Sequence, residues 1–297
     1  MANKAFWGRI ALFGTALIWG TSFIILKAAL DSIGTMWILA IRFSIAAGIL
    51  ALFCVPKLKA MDKRTFKGSV LLGITLATAY IVQTYGLMFT SPGKNAFLTS
   101  IYSVLVPFMA WGIYRRKPDS CNIIAAFLCV AGIGFVSLSS SEGGLNIGDV
   151  LTLICGIFYA LQIIIMENYI EGQDALPIST VQFATSAVIC WIGALLFEPV
   201  PGALSVGSWI SIVYMGVMCT GVGFFLQAWG MKYTPSATAS VIISLEAVFG
   251  ALFSVLFYNE PMTIKLFTGF ALIFVSVLIS ETKPRFLLFG KKERRSI

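Results

Sequence analysis

The sequence predicts an all-α polytopic membrane protein, its ten transmembrane helices arranged as two inverted five-helix repeats. Three observations predict this: an apolar composition, ten apolar stretches of spanning length, and a second half that matches the first with opposite charge bias. Of 297 residues, 58% are hydrophobic and 11% charged, and the mean hydropathy is +0.91. A soluble domain carries roughly 25% charged residues, so lipid must solvate this chain.

The stretches run near Trp7 to Ala29, Gly34 to Val55, Phe66 to Phe89, Gly93 to Tyr114, Asp119 to Ser139, Gly148 to Tyr169, Leu176 to Phe197, Ser205 to Met231, Pro235 to Tyr258 and Thr263 to Glu281. Each has about 20 residues, enough to cross a hydrocarbon core of ~30 Å at 1.5 Å per residue. The runs are continuous and lack the alternation of barrel strands. Lys4 and Arg9 precede the first stretch as in a secretion signal. It is longer than an h-region and no small-x-small cleavage site follows, so it reads as a retained helix. Cys54, Cys121, Cys129, Cys155, Cys190 and Cys219 lie in or at the ends of apolar helices without a CxxC pair. They read as small hydrophobes, and no disulfide framework, metal site or cofactor is expected.

The repeat shows best where Tyr85-Gly86-Leu87-Met88-Phe89-Thr90 meets Trp229-Gly230-Met231-Lys232-Tyr233-Thr234, 144 positions later. That spacing also sets Ser100 against Ser244, Tyr114 against Tyr258, and the apolar run from Ile123 to Leu138 against Phe267 to Thr282. Earlier, a spacing of 140 sets Gly8 against Gly148, Trp19 against Tyr159 and Arg42-Phe43 against Gln182-Phe183. The chain therefore divides into a first repeat over 7–139, a second over 148–281 and a basic tail over 282–297.

The net charge of +8 follows topology. With the N-terminus in the cytoplasm, 17 of the 21 basic residues fall on inner segments; Lys27, Lys94 and Lys265 stay outside and Arg42 lies within a helix. The positive-inside rule places both termini in the cytoplasm, and the short loops point to the plasma membrane. The tail rests on anionic lipid or is solvated. No basic groove with interleaved aromatics accompanies the charge, which excludes nucleic acid. The expected partners are the bilayer and a small-molecule substrate, with a proton, a counter-substrate or neither as the driving species; the expected state is a monomer or weak homodimer.

Five helices per repeat is an odd number, so the second repeat enters the membrane from the opposite side to the first. Inverted halves pack about an axis in the membrane plane and place a substrate site near the midplane. Two arrangements that exchange the roles of the halves then have nearly equal energy, the basis of alternating access.

The run Leu245-Glu246-Ala247-Val248-Phe249-Gly250-Ala251-Leu252, then Tyr258-Asn259-Glu260-Pro261-Met262-Thr263 and Gly269-Phe270-Ala271-Leu272-Ile273, resembles the second-repeat signature of EamA-type drug/metabolite transporters. Its first-repeat counterpart runs from Leu98-Thr99-Ser100-Ile101-Tyr102 through Pro107 to Arg116-Lys117-Pro118, and Ile18-Trp19-Gly20-Thr21-Ser22-Phe23 is similar to the family's first helix. The chain departs from the pattern at Ala247, where the family commonly has Pro, and Arg116 stands where the second repeat has Glu260. The resemblance implies a ten-helix carrier of small metabolites.

Trp19, Tyr80, Tyr102, Tyr159 and Glu246 lie ~13 to 18 Å from the outer ends of their helices at 1.5 Å per residue, close to the midplane. An ionised carboxylate facing lipid there costs at least ~2.5 kcal/mol, so Glu246 faces the interior. It is a candidate for contact with a cation, a proton or a substrate amine, or else a structural Glu. Arg42, ~12 Å below the outer end of its helix, can reach toward Glu246 along its stem or serve packing alone. Gln83 and Gln227 are repeat mates that line the path, close a gate, or tie helices at ~0.6 kcal/mol per bond. With Phe224, the deeper aromatics form an amphipathic cavity for a zwitterionic or aromatic metabolite, or else pack ordinarily. Trp7, Trp111 and Trp209 suit the interfacial belt. Pro107 is expected to interrupt the fourth helix and Gly250 to let the ninth bend. Small pairs such as Ala16 and Gly20, Ser44 and Gly48, or Gly250 and Ser254 permit close helix approach.

The expected function is a secondary transporter, specifically an exporter, of small metabolites such as amino acids or related amphipathic compounds. Its substrate site is Trp19, Tyr80, Gln83, Tyr102, Tyr159, Phe224 and Glu246, with no catalytic residue. The alternatives are an integral membrane enzyme and a non-transporting scaffold. The enzyme is disfavoured by the absence of any His, of clustered intramembrane carboxylates and of a nucleophile with a neighbouring base. A channel lacks its filter loop. The topology predicts that cysteines at positions 94 and 144 react with an impermeant thiol reagent outside intact cells, and that one at position 63 does not; reaction at 63 would overturn it.

Overall fold

A computed structural model describes residues 2–115, 117–139, 144–170, 174–284 and Leu287. The described residues hold ten helices long and apolar enough to cross a membrane. They are α1 (Ala2–Ala29), α2 (Thr35–Lys59), α3 (Lys63–Phe89), α4 (Pro92–Tyr114), α5 (Ser120–Leu138), α6 (Ile147–Ile170), α7 (Ala175–Phe197), α8 (Val206–Tyr233), α9 (Ser236–Tyr258) and α10 (Ile264–Thr282). The protein is a multi-pass membrane protein. Large apolar side chains cover its periphery, among them Leu52, Phe127, Phe197 and Ile264, each more than 70% exposed, as lipid-facing residues must be. Trp7, Trp111 and Trp209 are also exposed and sit near helix ends. Arg116 and most of the 282–297 tail lie outside the described residues.

Two stretches run further than the sequence pattern suggested. Helix α1 begins at Ala2, and α2 passes through a kink at Cys54 (φ −137°, ψ 16°) and Pro56 to end at Lys59. The proline removes a backbone donor, and the bend brings Cys54 Sγ within 3.2 Å of Thr180 Oγ1 on α7.

The packing has a two-fold pattern. Helix α1 lies on α9 as its mate α6 lies on α4; α3 on α6 matches α8 on α1; α3 on α7 matches α8 on α2. The pairs α2–α7, α4–α9 and α5–α10 map onto themselves. The glycines that marked the repeat in the sequence are where these crossings touch. A Cβ on Gly86 would lie 2.8 Å from Thr152 Oγ1 and 3.0 Å from the Gly148 carbonyl, and one on Gly230 would lie 2.8 Å from the Gly8 carbonyl. Helices in lipid gain little from apolar burial, so such close backbone approach is a main source of their association. Gly20 and Gly250 are crossings of the same kind, against Phe249 and against Ala96. Gly48 is not, having nothing within 4 Å of its Cβ position.

The expected interruption of the fourth helix occurs elsewhere. It falls at Ser100 and Ile101, between a piece ending at Thr99 and one starting at Tyr102, while Pro107 sits inside the second piece. The Ser100 hydroxyl donates to the Phe97 carbonyl at 2.7 Å, competing with the helical bond at that point. The carbonyl four residues before Pro107, that of Ser103, accepts from Ser280 Oγ of α10 at 3.1 Å, so the proline leaves no unpaired group behind. Helix α9 runs unbroken through Gly250. Helix α8 instead contains an unforeseen π-helical segment, Met215–Val222.

The two ends of the bundle differ. At the end carrying the connections 30–34, 90–91, 139–146, 198–205 and 259–263, here called the Lys27 face, charged side chains close helix termini. Lys27 Nζ donates to the carbonyls of Leu87, Met88 and Thr90 at 2.6, 2.9 and 3.0 Å, taking up the open end of α3. Glu198 accepts from the Met36 and Trp37 amides at the start of α2, and Glu260 accepts from Ser91 Oγ and the Gly93 amide at the start of α4. Asp149, fully buried, accepts from Thr90 Oγ1 at 2.5 Å and pairs with Lys94 at 3.6 Å. At the opposite, Lys57 face, the ion pairs Lys57–Asp174 and Lys283–Asp119 are half-exposed, a class that contributes ~0–1 kcal/mol each. The Lys57 hydrogen bond holds the Asp174 carboxyl below the usual carboxylate range.

Lys94 is only 12% exposed, so a cysteine there is shielded and position 144 carries the labelling test. The glycine crossings generate a second prediction, read from thermal unfolding in lipid nanodiscs. Gly86→Ala should destabilise by ~1–3 kcal/mol through overpacking against backbone. Gly112→Ala, on a helix with open space around it, should be neutral or stabilising by up to ~1 kcal/mol. Equal effects would show that the crossings do not depend on glycine.

Candidate functional site

Between the α4–α5–α9–α10 core and the α2–α3–α7 core lies a cavity of about 180 Å³. It is bounded by Trp19, Ser22, Phe23 and Leu26 of α1, Arg42 of α2, Leu76, Tyr80 and Gln83 of α3, Thr99 and Tyr102 of α4, Tyr159, Gln162, Ile163 and Met166 of α6, Phe224 and Gln227 of α8, and Glu246 of α9. All seven residues singled out from the sequence are on this wall. At 1.5 Å per residue, Trp19, Tyr102 and Glu246 lie ~15 to 18 Å from the Lys27-face ends of their helices, so the cavity spans the bundle's midplane.

Helical periodicity explains how one short stripe per helix builds the wall. Trp19, Ser22, Phe23 and Leu26 are spaced i, i+3, i+4, i+7 and share one face. Their mates at a spacing of 140, Tyr159, Gln162, Ile163 and Met166, do the same on α6. At a spacing of 144, Tyr80 pairs with Phe224, Gln83 with Gln227, and Tyr102 with Glu246. The cavity therefore straddles the two-fold, with equivalent positions on opposite walls carrying different chemistry. Ser22, Gln162, Ile163 and Met166 were missed in the sequence, although the stripe rule applied to Trp19 and shifted by 140 would have found them.

The aromatic side chains line it in two contacting groups. Trp19 packs against Phe224 with ring centroids 5.1 Å apart, Tyr80 against Tyr159 at 5.6 Å, and Tyr102 against Tyr159 at 6.0 Å. The polar ends of Trp19 and Tyr159 are held. Trp19 Nε1 donates to the Cys219 carbonyl at 2.7 Å, and the Tyr159 hydroxyl donates to Gln83 Oε1 at 2.8 Å while Gln83 Nε2 donates to Thr99 Oγ1 at 2.9 Å. Gln83 thus ties α3, α4 and α6 together on the Lys27 side of the cavity. Its mate Gln227 makes no such bond among the described residues, which leaves the Lys57 side less constrained.

Two ionisable side chains face this cavity. Glu246 has neither a hydrogen bond nor an ion pair with a described residue. Arg42 is 2% exposed, donates through Nε to Thr220 Oγ1 at 2.7 Å and lies 4.8 Å above the Tyr80 ring. The direct Arg42–Glu246 pairing considered from the sequence is absent: the ion pairs among the described residues involve Lys57, Lys94 and Lys283. The reason is local. The π segment of α8 presents the Thr220 hydroxyl to Arg42, so the guanidinium is anchored on that wall. Among the described residues no group of three His, Cys, Asp or Glu side chains could hold a metal ion.

The model of the EamA-like transporter family matches twice, over residues 6–138 and 146–282. An uncharacterized transporter of Archaeoglobus fulgidus is 33% identical over 280 residues, covering 93% of this chain and 86% of its own. The uncharacterized transporter YoaV of Bacillus subtilis is 20% identical over 282 residues, covering 91% and 95%. A solved crystal structure superposes with a TM-score of 0.69 over 94% of this chain and 98% of its own at 14% identity, a likeness of fold alone. With both repeats matched and a relative at this identity along nearly the whole chain, the protein belongs to the EamA-like transporter family.

Proposed function

We propose that the protein is a secondary transporter that exports small metabolites, such as amino acids or related amphipathic compounds, by alternating access through the central cavity. The observation that carries this is the pairing of the lining across the two-fold: seven positions of one repeat face their seven mates around one space. A carrier needs this, because exchanging the roles of the halves then opens the same site to the other side. The volume of about 180 Å³ is below the ~300–1,000 Å³ of typical ligand pockets, which favours a small cargo.

The direction rests on the unequal ends. The positive-inside rule makes the Lys57 face cytoplasmic and the Lys27 face external in the plasma membrane. The external side is then the closed one, tied by Lys27, Glu198, Glu260 and the Gln83 bonds, and cargo enters from the cytoplasm. The carrier reading is preferred to an enzyme because the chain has no His and the cavity offers no nucleophile beside a base. Glu246 supplies charge selectivity, and Trp19, Tyr80, Gln83, Tyr102, Tyr159 and Phe224 supply the amphipathic remainder. Whether a proton or a counter-substrate drives the cycle is read from the same assay by varying the pH gradient or the internal solute.

The test is uptake of labelled amino acids, amines, nucleosides and sugars into proteoliposomes. Glu246→Gln preserves shape and removes the ionisable carboxyl, whose hydrogen bond to a cationic group would contribute ~1.5–3 kcal/mol. Apparent affinity should therefore fall ~10- to 100-fold for a cationic or zwitterionic cargo, or the pH profile should shift. Glu281→Gln at the end of α10 should leave both unchanged. Unaltered rate, affinity and pH profile in Glu246→Gln would make Glu246 structural.

A further inference from the structure

We infer that Arg42 is the anion-recognition pole of the cavity, held in place by Thr220 of the π-helical segment, and that the cargo carries a carboxylate or a similar small oxyanion. The inference rests on the transporter reading for the term cargo and on the geometry for the assignment.

Arginine inside a membrane is costly enough that it pairs with an acid, reaches the interface, or faces a polar path. Arg42 has no acid within ion-pair distance and is 2% exposed, so it does neither of the first two. It does the third, on the wall of the cavity. Its protein contacts neutralise nothing. Thr220 Oγ1 takes the Nε hydrogen at 2.7 Å, and the Tyr80 ring and hydroxyl, the latter at 3.4 Å, meet one side of the guanidinium. The remaining amino group has no hydrogen-bond partner among the described residues. A guanidinium anchored through Nε, with one amino group left without a protein partner on the wall of an amphipathic cavity, suits a carboxylate.

The π segment is what makes this arrangement. In it the Thr220 hydroxyl donates to the Met215 carbonyl five residues earlier at 3.0 Å, which leaves its lone pair for Arg42. The same segment presents the Cys219 carbonyl to Trp19. In the first repeat the mate of Thr220 is Leu76, on a regular helix, and the mate of Arg42 is Gln182. The positive pole and its support therefore occur on one wall only, which is expected of a binding feature and not of a feature required by the repeated fold. Single π turns interrupting an α-helix are often found at functional sites. Thr220 touches Arg42 and not the cavity, and is thus a positioning residue.

The experiment uses the full protein in nanodiscs and proteoliposomes with matched probes: phenylalanine and phenethylamine, leucine and isoamylamine, and the amides of both amino acids. Both the rise in unfolding temperature and the uptake rate are measured for wild type, Arg42→Gln and Thr220→Val. The wild type should prefer carboxylate-bearing members over matched amines and amides at least 10-fold. That ratio should fall to near one in Arg42→Gln, whose replacement is the residue already at the mate position, and several-fold in Thr220→Val with its unfolding temperature unchanged. Carboxylate-dependent stabilisation without uptake would support the pole and overturn the transporter reading. Uptake without carboxylate preference, or a preference that survives in both variants, would overturn the pole and keep the transporter. Neither stabilisation nor uptake by any probe would overturn both.

Discussion

A backbone carbonyl or amide released inside a membrane has no water to turn to, and the rest of this structure depends on how each such group is satisfied. Ten helices satisfy most of them internally. Several of the exceptions have a side-chain partner: the carbonyl freed by Pro107 goes to Ser280, the bare end of α3 to Lys27, the start of α2 to Glu198 and the start of α4 to Glu260. Where α8 departs from α-helical geometry, the Cys219 carbonyl and the Thr220 hydroxyl go to Trp19 and Arg42. The irregular backbone of α4 and α8 therefore lies beside the cavity, where protein side chains replace the missing solvent.

Symmetry and its violations divide the labour. The glycine crossings Gly8–Gly230 and Gly148–Gly86 are nearly equivalent and fix the same spacing in both halves. The helix-end clamps are not equivalent. Lys27 has Glu167 as its mate and Glu260 has Arg116, so the chemistry that closes one end is not reproduced at the other. A carrier whose ends were clamped alike would favour neither side. Here the Gln83–Tyr159–Thr99 bonds and the buried clamps act at the same face, while the opposite face has half-exposed ion pairs that separate at little cost.

Much of this was legible in the sequence, and for physical reasons. Spanning length is set by bilayer thickness, so continuous apolar runs mark helices to within a few residues. Midplane depth follows from helical rise, which brought Trp19, Tyr80, Tyr102, Tyr159 and Glu246 to one level, and the repeat placed Phe224 and Gln83 with them. What stayed hidden depends on contacts between residues far apart in the chain. Nothing local marks Met215–Val222 as π-helical, because its residues are ordinary helix formers in lipid. Pro107 looked like a break because its remedy, Ser280, is 173 positions away. Arg42 looked more like a packing residue than a partner for Glu246, since Thr220, 178 positions on, was not recognisable as its anchor.

The central claim is that the two halves exchange roles around a cavity on their two-fold. Spin-label distances in lipid test it most directly, with one pair across the Lys27 face at positions 89 and 262 and another across the Lys57 face at positions 63 and 232. On addition of a transported compound, the account predicts two populations at each pair, with the first distance lengthening in the population in which the second shortens. Distances that stay single and fixed at both faces while cargo crosses the membrane would contradict it.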